Sequence, residues 1–78
     1  MDKIKSIKEH MEVVGSDGGH VGTVDSLEGE SRIKLTKSDP TSGGQHHFIS
    51  AQWVASVDNK VHLNKSAKDA TQQWQAAA

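Results

Sequence analysis

Five histidines, His10, His20, His46, His47 and His62, stand in a chain of 78 residues, and imidazole is the side chain best suited to metal ligation and to proton exchange near neutral pH. A zinc or nickel centre needs three or four nitrogen or oxygen ligands that converge on one point. His46 and His47 are adjacent, so in a strand they point to opposite faces and cannot share an ion. What remains is a mixed set, His46 or His47 with His62 and Asp58, which requires the last strands to be neighbours. The plainer reading makes the histidines surface imidazoles beside a barrel; a separate reading has them titrate near neutral pH and make association pH-dependent. No resident metal or cofactor is expected.

Ser16, Asp17 and His20 are the residue types of a nucleophile, an orienting acid and a base. They crowd into one exposed turn, which offers neither a water-excluding pocket nor oxyanion donors. The run GSDGGHVG from Gly15 to Gly22 is glycine-rich enough for a phosphate cradle. Such a cradle must open a helix and carry a following Lys and Ser or Thr, whereas a β-branched strand follows here. Asp17 and Asp25 lack the alternating oxygen ligands and closing Glu of a calcium loop. The expectation is a protein that is not an enzyme.

The elements that carry these residues are mostly strands. Asp17-Gly18-Gly19 supplies the positive φ angles of a tight hairpin between Glu12–Ser16 and His20–Leu27. Gly15 and Gly22 interrupt those strands, which suggests bulges or bends that coil a small sheet. A second turn at Gly29-Glu30-Ser31 leads into Arg32–Lys37, with Ile33 and Leu35 on the core face. Ser38–Gly44 has pure loop composition, holds the only proline and is expected to be the mobile segment. His46–Ile49, Trp53–Val57 and Val61–Leu63 follow, with turns at Ser50–Gln52 and Asp58–Lys60. This predicts a mainly β fold, a small six-stranded antiparallel β-barrel.

Helical segments flank the strands. Ile4, Ile7 and Met11 share one face of a short lead-in that would lid the core. Ser66 and Asp69 mark an N-cap, and Ala67, Ala70 and Trp74 form the stripe of a helix over Ala67–Gln75. Burying Trp74 is worth roughly 2–3 kcal/mol, whereas so short a helix is marginal alone; the helix must dock or fray. The whole reads as one domain: lead-in 1–10, barrel 11–64, helix and tail 65–78.

Nine Lys and Arg against ten Asp and Glu leave a formal charge of −1, without the basic excess that drives nucleic-acid binding. Phe48, Trp53 and Trp74 are the only aromatic rings besides histidine, and the first two are expected in the core. The absence of cysteine excludes disulfides, thiolate metal sites and thiol catalysis, and suits a reducing cytosol. No apolar run in MDKIKSIKEHMEVV suits a signal peptide or a membrane span, so a soluble cytoplasmic protein without membrane partner is expected.

The opening VVGSDGGHVGTV and the closing FISAQWVASVDNKVHL, in this order, resemble the PRC-barrel superfamily over Met11 to Leu63, in particular its small bacterial members of unassigned function. The resemblance implies a compact six-stranded barrel used to contact other proteins, as in the photosynthetic reaction-centre H subunit and a ribosome maturation factor. The membrane helix of the first and the second domain of the other have no counterpart here, so their partners do not carry over. The expected role is protein binding or self-association, a homodimer included. The expected surface combines Trp74 and Ala70 of the last helix, the Ser38–Gly44 loop, and His46 or His47. Trp74 docks either on a second chain or on the open end of its own barrel.

Overall fold

The computed structural model describes residues 3–29 and 31–76; Glu30 of the second turn, the Ile4 side chain, Ala77 and Ala78 lie outside the described residues. In chain order the elements are β1 (Glu12–Val14), β2 (His20–Glu28), β3 (Arg32–Leu35), β4 (His47–Ser50), β5 (Val54–Val57), β6 (Lys60–Leu63), α1 (Ala67–Gln73) and β7 (Gln75–Ala76). The six expected strands are all present with shifted ends, and a seventh follows the helix.

The strands form one sheet in the order β5-β6-β1-β2-β3-β4-β7. It is mixed, because β1 runs parallel to β6, and it is open, with β5 and β7 as its edges. The expected closed antiparallel barrel of six strands is therefore corrected. The β5–β6 hairpin returns to the free side of β1 instead of bonding across to β4, and a parallel neighbour of this kind needs a long connection rather than a tight turn.

β2 belongs to both halves of the sheet, pairing with β1 through its first residues and with β3 through its last. Its register slips against each partner: Val21 is skipped between Gly22 and His20, and Asp25 between Val24 and Ser26. Bulges sharpen local bend and twist, so the two halves turn toward one core. Val13, Val21, Val61 and Ile33 are wholly shielded there, with Leu35, Ile49 and Leu63 nearly so.

Glycine acts here by close approach. A Cβ on Gly15 would lie 2.3 Å from the Ala67 backbone nitrogen, and one on Gly22 2.9 Å from Leu35 Cδ1. The missing side chain at Gly15 lets the first turn meet the start of α1, where Ser16 N–H donates to the Lys65 carbonyl at 2.8 Å. Asp17 Oδ1 accepts from Gly19 N–H at 3.0 Å and from Ala67 N–H at 3.3 Å. These backbone donors, Gly19 first, hold the Asp17 carboxyl below its ordinary range.

Ser66 caps α1 as expected, its Oγ accepting from Asp69 N–H at 3.1 Å. The helix stops at Gln73, two residues early, because Trp74 turns extended and sends Gln75–Ala76 onto β4. The lead-in is a single 3-10 turn over Lys3–Ser6, packed on β5, with Ile7 buried behind it. The Ser38–Gly44 segment, expected to be a loop, holds internal bonds. A 3-10 turn spans Pro40–Ser42, and Ser42 Oγ donates to the Lys37 carbonyl at 2.7 Å while accepting from Gly44 N–H at 3.0 Å.

Gly15→Ala is expected to lower stability by about 1–3 kcal/mol, the usual cost of overpacking. The Cβ would meet backbone, which cannot rotate away. Urea unfolding followed by helix and tryptophan signals measures this effect, and a midpoint equal to wild type would contradict it.

Candidate functional site

The histidines are dispersed. His62 Nε2 lies 3.0 and 3.1 Å from the two oxygens of Asp58 within the β5–β6 hairpin. Asp58 also accepts from Lys60 N–H at 2.8 Å, and that backbone donor, followed by His62, holds its carboxyl below the ordinary range. His46 Nδ1 donates to the Leu35 carbonyl at 3.1 Å. Three strands, β1, β2 and β3, separate β4 from β6. The set of His46 or His47 with His62 and Asp58 is thus not assembled, because the last strands are not all neighbours. Among the described residues no group of three His, Asp or Glu side chains is placed to hold a metal ion.

His47 is not a surface imidazole. It points inward from β4, is 6 % exposed, and stacks on Trp74 with ring centroids 3.9 Å apart and planes 14° from parallel. Its Nδ1 is buried without a hydrogen-bond partner. Burial, with His46 beside it, lowers its pKa. Ala70 is completely buried, and Trp74 packs half-buried against the core. Of the four surface candidates, Ala70 and His47 are buried, Trp74 is half-buried against His47 and the core, and His46 is half-buried next to the Ser38–Gly44 loop.

A cluster not read from the sequence surrounds His20. Nδ1 lies 2.8 Å from Glu12 Oε2 on β1, and Nε2 lies 2.7 Å from Asp39 Oδ2 in the loop after β3. A ring with a carboxylate at each nitrogen donates at both, which is the imidazolium form. Thr23 Oγ1 adds a bond to Asp39 Oδ2 at 2.6 Å, and Lys60 Nζ lies 3.3 Å from Glu12 Oε1. The Asp39 side chain is only 4 % exposed, so its charge is buried but partnered. Burial disfavours the His20 cation, yet Glu12 and Asp39 outweigh it and its pKa is raised. His20, then Lys60, hold Glu12 below its ordinary range.

The two carboxylates occupy opposite edges of one ring, which suits a brace rather than a metal site. It ties β1, β2 and the loop together. The grouping of Ser16, Asp17 and His20 dissolves, since Asp17 faces α1 and His20 faces Glu12. The hairpin register carried a signal for part of the brace: Val14 opposes His20, and Glu12 is the next residue on the same face of β1. Nothing local pointed to Asp39.

A second feature lies on the outer face of the other half of the sheet. Phe48 on β4 is half-exposed and lies outside the core, contrary to expectation, whereas Trp53 in the turn before β5 is half-buried and packs against the core. They line a groove of about 220 Å³ with Arg32, Ser50, Gln73 and Gln75. The Arg32 guanidinium sits 4.4 Å from the centre of the Phe48 ring, and Lys65 Nζ 4.0 Å from that of Trp53. Such cation–π contacts are favourable and leave the charges hydrated. Among the described residues neither cation has a carboxylate partner. The groove exists because β7 pairs only with His47 and Phe48, leaving Ile49 and Ser50 without a strand on that side.

A family model described as an uncharacterized protein conserved in bacteria, DUF2171, matches residues 7–71. The chain belongs to this family. No curated protein matches it. The matched span of the DUF2171 domain includes the whole His20 brace as well as Arg32, Phe48, Trp53 and Lys65, and ends before Trp74 and β7. No helix among the described residues of the domain is long and apolar enough to cross a membrane.

His20 and His47 should give opposite pH responses. The His20 pKa is raised on folding, so its contribution is complete below the ordinary value of about 6.5 and is lost as pH rises through the higher folded value. His47 is lowered, so its contribution is complete above about 6.5 and is lost as pH falls through the folded value. Urea midpoints across this range should therefore show His20→Gln flattening the alkaline decline and His47→Phe the acidic one. Unchanged profiles would contradict both assignments.

Proposed function

We propose that this DUF2171 domain is a non-enzymatic protein-interaction or self-association module of the bacterial cytoplasm. The observation that carries the reading is the groove: two half-exposed aromatic rings beneath two cations, beside a strand edge that the chain's own β7 leaves uncovered. Aromatic side chains and arginine are enriched where proteins bind one another. The resemblance of VVGSDGGHVGTV and FISAQWVASVDNKVHL to PRC-barrel domains supports the same role, and we infer kinship with that superfamily on those residues. The absence of cysteine supports the cytoplasmic assignment.

A second reading makes binding responsive to pH, and the Glu12–His20–Asp39 brace favours it. Loss of the His20 proton would remove one of the bonds that hold Asp39 and the loop after β3, beside the Thr23 and Ser42 bonds that remain.

Light scattering over a concentration series, paired with cross-linked capture from a bacterial extract, tests the main reading. Phe48→Ser is expected to weaken self-association or capture by about tenfold, the scale of a single interface anchor, with little change in melting temperature since Phe48 lies outside the core. A chain that stays monomeric and captures the same proteins with or without Phe48 would overturn it.

A further inference from the structure

We infer that the groove receives an extended acidic segment of another protein, which continues the sheet beside β4 and brings carboxylates to Arg32 and Lys65. This rests on the protein-binding reading above and names the partner's chemistry.

The backbone supplies the first argument. Ala51 N–H donates to the Ser31 carbonyl at 2.9 Å, in the same register that pairs Ile33 with Ile49 and Arg32 with Ser50. In an antiparallel ladder the bonded pairs alternate, so Ala51 and Ile49 bond toward β3 while Phe48 turns its N–H and C=O, and Ser50 its N–H, to the other side; the Ser50 carbonyl serves the 3-10 turn over Ala51–Trp53 that Ser50 caps. Phe48 meets Gln75 of β7 there. The position opposite Ser50 would belong to Gln73, which is already helical. An added strand would meet Ser50 at that step, in the manner of β-augmentation.

Charge supplies the second argument. The whole chain carries a formal charge of −1, yet Arg32 lines this groove and Lys65 lies beside it, over Trp53 and donating to Gln73 Oε1 at 2.9 Å, both without carboxylate partners among the described residues. Glu28 opposes Arg32 in the β2–β3 ladder, but the guanidinium turns to Phe48 instead. The volume supplies the third. About 220 Å³ is below the usual size of a small-molecule pocket and suits one side chain of a longer ligand. Single-stranded nucleic acid is disfavoured because cations already cover one face of each aromatic ring, where bases would stack.

The test uses the full chain, labelled with 15N, and three blocked heptapeptides in which valine alternates with glutamate, threonine or lysine, together with an oligothymidylate. The glutamate peptide is expected to shift the Ser50 and Gln75 amides and the Trp53 indole. It should bind at least about tenfold more tightly than the threonine peptide, with affinity falling as salt rises. In the Arg32→Glu, Lys65→Glu double variant the lysine peptide should become the preferred ligand; if that variant does not fold, the salt dependence of the wild type decides. Equal binding of the threonine or lysine peptide, shifts elsewhere on the sheet, tighter binding of oligothymidylate, or no binding by the glutamate peptide would each overturn the inference. If it falls while Phe48→Ser still weakens association, the protein-binding reading survives; if both fail, that reading falls too.

Discussion

The parallel ladder between β1 and β6 sets Val13 against Val61, both wholly shielded from water, and fastens the last hairpin of the chain to its first strand. Without that ladder the β5–β6 hairpin would have no place in the sheet, and the core would lose Val54, Val61 and Leu63 together. The same register places Glu12 opposite Lys60 and so contributes the outer end of the charged brace. It also decides what does not meet. With β6 committed to β1, His62 is kept from His46 and His47, and β4 is left with one free side that β7 only half covers.

Two buried polar groups illustrate opposite solutions to the cost of leaving water. Asp39 is buried but receives His20 and Thr23, so its charge is compensated where it lies. His47 has no partner for Nδ1 and relies on stacking with Trp74, so the neutral ring is the tolerated form. One histidine is therefore stabilised as a cation and the other as a neutral base, within a single small domain.

The short helix α1 depends on the first turn. Seven residues do not sustain a helix in water, but α1 begins against Gly15 and Asp17 and ends on the aromatic pair of Trp74 and His47. After that pair the chain turns extended, β7 forms, and the groove is bounded by Gln73 and Gln75. The candidate binding surface is a by-product of how this helix ends.

The sequence by itself determined the local elements. Asp17-Gly18-Gly19 had to turn because glycine admits positive φ, and Gly18 has it at 81°. Ser66 had to cap, and the alternation of Arg32 to Leu35 had to present Ile33 and Leu35 to one face. The inward and outward split of His46 and His47 followed from the period of two in a strand. Tertiary structure alone decided which strands became neighbours, since the pairing of β1 with β6 is a contact between distant segments that no local pattern encodes. It also brought Asp39 to His20 and moved Phe48 from the expected core to a groove that Trp53 borders while packing on the core. The inner faces of the sheet were already filled by Val, Ile and Leu, so Phe48 packed beneath Arg32 outside, while Trp53 lies between the core and Lys65.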